Sequence, residues 1–354
     1  MSGTSLDGVD AVLADFSSGM PSMLGSHYRL YPDDLREALL DLHEPGDNEL
    51  HRSALLANAV TEQYAIAVNA LLSAKNGHTT VAAIGCHGQT VRHCPEHAYT
   101  IQLVNGALLA ERTGLTTVTD FRSRDIAAGG QGAPLVPAFH AACFRHTTES
   151  RVIVNIGGIA NVTYLPPEGT ISGFDTGPGN LLMDAWVRRH RKESHDHDGG
   201  FAASGKVDTR LLQEMLADAY FHRPPPKSTG RDHFNMAWLE SFAIASSAPE
   251  DVQATLAELS AASIAASVEK YCNDAQEVFV CGGGAHNTHL MNRIAARLHS
   301  RRLASTEVLG MHPDWVEALA FAWLARCTME NISGNAPEVT GAKGSRVLGA
   351  IYPQ

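Results

Sequence analysis

No stretch of the 354-residue chain approaches the roughly 20 consecutive apolar residues that a membrane-spanning helix needs. No basic, apolar, small-residue leader opens it. The six cysteines (Cys86, Cys94, Cys143, Cys272, Cys281 and Cys327) form no CxxC pair. In a chain of this length they read as reduced thiols, not as a disulfide framework. Positive charge is also short. Lys plus Arg is 27 against 38 for Asp plus Glu, a formal net charge of −11. That balance argues against a general nucleic-acid or anionic-membrane surface, though not against a local phosphate site built from backbone N–H groups. A cytoplasmic protein with neither nucleic-acid nor membrane partners is the expectation. Two nucleotide motifs are missing as well. No G-x-x-x-x-G-K-[ST] occurs, so this is not a P-loop enzyme. No G-x-G-x-x-G follows the first strand, which argues against a dinucleotide fold.

What is present points to a folded α/β protein. Apolar residues make up 44% of the chain, enough to exclude wholesale disorder, and the length suggests two domains. Strand-like runs are expected at Val9 to Phe16, Thr79 to Gly85, Tyr99 to Val104, Thr116 to Phe121, Arg151 to Ile156, Ile159 to Leu165, Ile171 to Phe174 and Val278 to Cys281. Helices are expected at Asp33 to Leu42, Leu50 to Ala74, Ala107 to Arg112, up to Phe144, through Trp186, along a face marked by Val252, Leu256 and Leu259, and along one marked by Leu290, Ile294 and Leu298. Helix and strand interleave throughout. Gly157-Gly158 between two strand runs is a hairpin signal.

Four glycine-bearing turns adjoin strands: Gly3 to Gly8, Asn155 to Gly158, Gly173 to Gly179, and Gly282 to Ala285. Glycine lets backbone N–H groups approach an anion closely, and Thr or Ser hydroxyls add donors. A single such turn is more often structural, but two hairpin-type turns in separate halves of the chain could grip a nucleotide triphosphate.

The segments MSGTSLDGVD, CHGQT, DFRSRD, GGQGAPLVPAFH, VNIGGIANVT, GFDTGPGN, KSTGRDHFN and VCGGGAHN together resemble the anhydro-N-acetylmuramic acid kinase family. They occur in the family's order, and the resemblance runs from Met1 to the closing Arg346-to-Pro353 segment. It implies a two-lobed, actin-like ATPase fold with a nucleotide and sugar cleft between the lobes. The first lobe would be residues 1–125 completed by 335–354, and the second 126–334. The implied reaction uses ATP with Mg²⁺ to phosphorylate O6 of 1,6-anhydro-N-acetylmuramic acid while water opens the anhydro bridge, in peptidoglycan recycling. A homodimer is expected. The other readings are a different sugar or carboxylate kinase on this fold, and a non-catalytic sugar or nucleotide sensor.

The resemblance also implies residue roles. Asp175 matches the catalytic aspartate, which takes a proton from the attacking water. Spacing alone favours a cap or turn residue there. Gly3, Thr4, Ser5, Leu6, Asp7, Gly8, Val9 and Asp10 match the first phosphate turn. Asp7 is a candidate to hold Mg²⁺ through water, with turn capping as the equal alternative. Asn155, Gly157, Gly158 and Asn161 match the second phosphate hairpin, and Gly282, Gly283 and Gly284 the adenosine loop. His87, Gln89, Arg124 and Glu317 match sugar-contacting positions, Arg124 being suited to the lactyl carboxylate. A structural histidine, a surface salt bridge and a solvated helix face are the bland readings of His87, Arg124 and Glu317. The histidines His190, His195 and His197 read as a solvated charged stretch, not a zinc site. The Lys227-to-Arg231 segment reads as a loop that braces the cleft.

One departure from the family pattern stands at the start, where no apolar strand precedes the Gly3-to-Gly8 turn. A start codon placed too far downstream is the simplest account. The expectation is that Val9 to Phe16 loses a neighbour and the turn frays.

Overall fold

The chain alternates helix and strand from end to end, as the interleaved sequence pattern requires. Its strands are β1 (Gly8–Asp15), β2 (Ser22–Leu30), β3 (Ile84–Gly85), β4 (Gln89–Cys94), β5 (Tyr99–Leu103), β6 (Thr117–Thr119), β7 (Arg151–Ile156), β8 (Ile159–Leu165), β9 (Ser172–Pro178), β10 (Glu277–Cys281), β11 (Arg302–Ser305) and β12 (Ala350–Tyr352). The computed structural model describes residues 1–3, 6–74, 80–299 and 301–354. Thr4 and Ser5 of the first turn, and Thr79 at the expected start of a strand, lie outside the described residues.

The chain divides into two compact α/β units, Met1–Cys143 with Glu317–Gln354, and Phe144–Val316. Both joins differ from the expected 125/126 and 334/335. Two apolar helices cause the shift. Phe321, Leu324 and Ala325 of Val316–Met329 pack with Val118, Phe121, Leu135 and Leu348 in one core. Phe139, on helix Val136–Phe144, meets Trp323 with ring centroids 6.0 Å apart. An apolar helix with no strong polar face carries no signal of which core it joins.

In the first unit β3 runs parallel to β6, and β12 pairs antiparallel with β6. β1 pairs with β2 along its whole length, from Gly8↔Leu30 to Asp15↔Ser22. β2 covers one edge of β1, and no other strand pairs with it among the described residues. β2 escapes sequence reading because its nine residues, SMLGSHYRL, are half or fully exposed and lack a clean apolar alternation. Met1 and Asp10 also exchange backbone hydrogen bonds, at 2.7 and 2.8 Å, across the first turn.

The second unit holds a five-stranded sheet in the order β11-β10-β7-β8-β9. β10 is parallel to β7 and β11, while β7-β8-β9 form an antiparallel meander. The hairpin at Gly157-Gly158 is present as expected. Val152, Ile153, Val154, Val278, Phe279 and Val280 are fully buried, as strands covered on both faces must be. Helix Pro249–Tyr271 lies in this core and is buried nearly all round, including Gln253, Thr255 and Glu258. The Val252, Leu256, Leu259 stripe is therefore only part of its buried surface. The Glu258 carboxylate is paired with Arg293 and Arg297, which makes its burial tolerable. Among the described residues no helix is long and apolar enough to cross a membrane. All six cysteines are free.

Candidate active site

Sheet register assembles the site in the second unit. Antiparallel pairing sets Asn155 opposite Asn161, and Asn161 opposite Asp175. Directly opposed residues project from the same face, so the three polar side chains form one row across β7, β8 and β9. The register shifts between Ala160 and Asn161, because Ala160 faces Gly177 while Asn161 faces Asp175. Thr176 is the extra residue of this bulge, and its hydroxyl donates to the Ala160 carbonyl at 3.2 Å. A bulge of this kind re-aims the neighbouring side chain, here Asp175.

Three glycine turns close over the same end of the sheet. The amides of Gly179 and Leu181 donate to the Gly158 carbonyl at 2.9 and 3.1 Å, and that of Asn180 to Gly157 at 2.8 Å. A Cβ on Gly282 would lie 2.4 Å from Asn155 Oδ1, and Gly282 has a φ of +79°. A Cβ on Gly179 would lie 2.4 Å from the Gly157 carbonyl oxygen. Packing therefore dictates these two glycines. It does not dictate Gly157, Gly158 or Gly283, where the nearest atoms to a built Cβ stand 3.7, 3.8 and 3.9 Å away. None of these three has a positive φ. Neither the backbone nor its neighbours require glycine at those positions.

Asp175 is half-buried and tightly held. Its Oδ2 accepts the Thr229 amide at 3.0 Å, its own amide donates to the Lys227 carbonyl at 3.2 Å, and its carbonyl accepts the Tyr220 hydroxyl at 2.8 Å. Burial raises its carboxyl to about 6, against the smaller lowering effects of the Thr229 amide and Lys227. A carboxylate of that basicity is ionised at neutral pH yet able to take a proton, as a general base must.

The first unit carries a second cluster. Leu6 has a φ of +59° but only 1% exposure, so its side chain pins the first turn into the core. Gly8 is required by close approach, since a Cβ would meet the Arg29 carbonyl oxygen at 2.2 Å. Gln89 Nε2 donates to the Gly3 carbonyl at 3.1 Å, and its Oε1 is buried without a partner among the described residues. Arg122 donates to His87 Nε2 at 2.8 and 3.1 Å and to the Gly132 carbonyl at 2.7 Å. Burial lowers Arg122 to about 10, opposed by Glu317 and Asp125. Burial first, then Arg122, push His87 well below the usual range, so the ring is neutral and its Nε2 accepts. Asp125 is wholly buried and accepts from the Gly132 amide at 2.8 Å, Asn335 Nδ2 at 2.7 Å and the Thr340 hydroxyl at 2.8 Å.

A model of the anhydro-N-acetylmuramic acid kinase family matches residues 1–354. The chain belongs to this family. It is 56% identical over 357 residues to the anhydro-N-acetylmuramic acid kinase of Nitrosomonas europaea, covering all of this chain and 98% of that protein. It is 55% identical to the enzyme of the same name in Nitrosospira multiformis, again over the whole chain and 97% of the relative. The solved structure of ethanolamine utilization protein EutJ from Carboxydothermus hydrogenoformans is a distant likeness, with 15% identity and a TM-score of 0.41 over 90% of this chain and 86% of that one.

The positions matching the kinase family's motifs fall into three groups. Asn155, Asn161, Asp175 and the glycines of residues 157–158 and 282–284 gather at one end of the second unit's sheet. Gly3, Leu6, Asp7, Gly8, Val9 and Asp10 form the first turn and the start of β1, with Gln89 braced beneath. His87 is 4% exposed and packs on Phe321 at 4.6 Å between ring centroids, so it is an interior residue that receives Arg122. Arg124 is exposed on helix Ser123–Ala127, whereas Glu317 stands in the first turn of Val316–Met329, near Arg122. Sequence reading passed over Arg122 and Asp125 in the same DFRSRD segment. Its two arginines cannot be told apart by spacing, and only burial separates them. It also passed over Tyr220, whose hydroxyl reaches Asp175 from 45 residues away. The Lys227-to-Arg231 loop reaches Asp175 through the Thr229 amide. Among the described residues no group of three His, Cys, Asp or Glu side chains could hold a metal ion, the His190-to-His197 stretch included.

Proposed function

We infer that this protein is an ATP-dependent kinase of 1,6-anhydro-N-acetylmuramic acid. It opens the anhydro ring with water and phosphorylates O6, giving N-acetylmuramic acid 6-phosphate and ADP in cell-wall recycling. The observation that carries the reading is Asp175, a carboxylate held near a pKa of 6 in register with Asn155 and Asn161. Beside it stand glycines at 157, 158 and 283 that nothing in the protein requires. Family membership supplies the substrate.

In this reaction the water oxygen bonds to the anomeric carbon as the bond from that carbon to O6 breaks. O6 takes the γ-phosphoryl group, and ADP leaves with the electrons of the broken P–O bond. Asp175 takes the water's proton, with Thr229 and Tyr220 fixing its carboxylate and carbonyl. The open glycines at 157, 158 and 283 give backbone N–H groups room to meet phosphate oxygens. In the first unit, Gln89 Oε1 offers a buried acceptor for a sugar hydroxyl or amide N–H, and exposed Arg124 a cation for the lactyl carboxylate. Mg²⁺ fits a site of one carboxylate plus substrate phosphates, and the exposed Asp7, 3.9 Å from Arg36, is the residue that would hold it through water. When bound, the ion neutralises charge on the β- and γ-phosphates. Consumption of ATP suits a cytoplasmic enzyme.

The test is ADP release with 1,6-anhydro-N-acetylmuramic acid beside glucose, acetate and no substrate, run in ¹⁸O-labelled water. Release that depends on the anhydro sugar, with label on the anomeric hydroxyl, is expected. Label in the phosphoryl group, or release indifferent to the sugar, would refute the reading.

A further inference from the structure

The established family chemistry needs a base, but it does not say what holds that base in place. Asp175 sits on β9, at the edge of the five-stranded sheet, so among the described residues no strand pairs with one side of its backbone. The segment from Tyr220 to Thr229 fills that side. Its grip is threefold: the Lys227 carbonyl on the Asp175 amide, the Tyr220 hydroxyl on the Asp175 carbonyl, and the Thr229 amide on Oδ2. The segment is itself fastened. Lys227 Nζ donates to the Tyr220 carbonyl at 3.4 Å and stands over the Tyr220 ring, 4.7 Å from its centroid. Tyr220 is 1% exposed, with its ring edge-on to Phe234 at 5.5 Å. Asp218 caps its amide at 2.8 Å while also accepting from Trp238 at 2.9 Å and bonding His233 at 3.0 Å.

Lys227 makes no ion pair within 4 Å among the described residues, although its side chain is half-buried. Its ammonium is held instead by the Tyr220 carbonyl and ring face. The charged groups that face it are Lys270 from helix Pro249–Tyr271, Asp175 from β9, and Arg223 from its own segment.

We propose that Tyr220 and Lys227 are positioning residues for Asp175: the Tyr220 hydroxyl and the Lys227 carbonyl lock its backbone at the open sheet edge, and the Lys227 ammonium, seated on the Tyr220 ring and carbonyl, holds Tyr220 in place. The reaction rests on the function inferred above, but the clamp can be read without it. An opposite charge favours the ionised carboxylate, so removing the ammonium raises the pH at which Asp175 takes up its proton. This agrees with the lowering effect of Lys227 on Asp175.

The experiment compares wild type with Lys227→Met, Lys227→Arg and Tyr220→Phe. Two readouts are needed. One is the pH profile of kcat/KM with the anhydro sugar and ATP. The other is a ¹³C NMR titration of aspartate carboxylates without substrate, with Asp175 assigned by Asp175→Asn. In Lys227→Met both the acid limb and the Asp175 midpoint should move to higher pH, by about half a unit or more. Lys227→Arg should restore them. Tyr220→Phe should lower kcat roughly tenfold with the KM for ATP unchanged. A substrate of another kind would leave the NMR shift intact while the kinetics failed, which would overturn the function and not the clamp. An unmoved Asp175 midpoint in Lys227→Met, or variants that lose melting temperature but keep kcat and the acid limb, would overturn the clamp.

Discussion

Asp175→Asn should make the protein more stable while making it inactive. Burial raises the Asp175 carboxyl from 3.8 to about 6. A group whose folded pKa lies above its unfolded value favours folding when protonated, and that contribution disappears as pH rises through the folded pKa. Wild type therefore loses stability between about pH 4 and pH 6, and above pH 6 it bears the whole penalty of the ionised carboxylate. At about 1.4 kcal/mol per unit, the two-unit shift amounts to about 3 kcal/mol. Asparagine has the same shape and its Oδ1 can still accept the Thr229 amide, but it carries no charge to desolvate. In a unit of this size about 3 kcal/mol corresponds to a melting temperature higher by about 6–12 °C. The assay is a thermal melt of both proteins from pH 4 to pH 8 beside sugar-dependent ADP release. The variant should melt higher at pH 7.5, with the gap closing towards pH 4, and turnover should fall by about 10²-fold or more. A gap absent at pH 7.5, or one independent of pH, would show that the carboxylate is not desolvated. Near-normal turnover would remove Asp175 from the chemistry.

The glycines separate by the same logic. Gly158→Ala, whose Cβ meets nothing closer than 3.8 Å, should melt like wild type and bind ATP about tenfold more weakly by titration; Gly282→Ala, strained at φ +79° and 2.4 Å from Asn155 Oδ1, should lose stability first. Asp125→Ala strands the Gly132 amide, Asn335 and Thr340 in the interior, and should cost about 3 kcal/mol in chemical denaturation. The two arginines should part company. Arg122→Ala, leaving His87 and the Gly132 carbonyl without their donor, should destabilise by about 2–3 kcal/mol, whereas exposed Arg124→Ala should keep the melting temperature and raise the KM for the anhydro sugar. Equal melting temperatures for the two variants would contradict the assignment.

Local pattern made much of the architecture legible. Asp33–Asp41 and Thr288–Leu298 are amphipathic helices with their apolar spacing intact, and Arg151–Ile156 with Ile159–Leu165 announces a hairpin through Gly157-Gly158. These are short-range features, in which the residues that signal an element are the residues that build it. β2 stayed hidden because half-exposed edge residues need no regular pattern, and the joins between units moved because an apolar helix does not reveal which core receives it.

The sequence by itself determined the α/β class, the glycine turns and, through long motifs, the kinase family. Tertiary structure alone decided how those residues are arranged. The register of β7, β8 and β9, shifted by the Thr176 bulge, puts Asn155, Asn161 and Asp175 in one row. The fold half-buries Arg122 as a donor to His87 and leaves Arg124 at the surface, though the two stand two residues apart. The fold brings Tyr220 and Lys227 onto Asp175 from 45 and 52 positions along the chain. Desolvation and register depend on what the rest of the chain places around a residue, and no spacing within a motif contains that information.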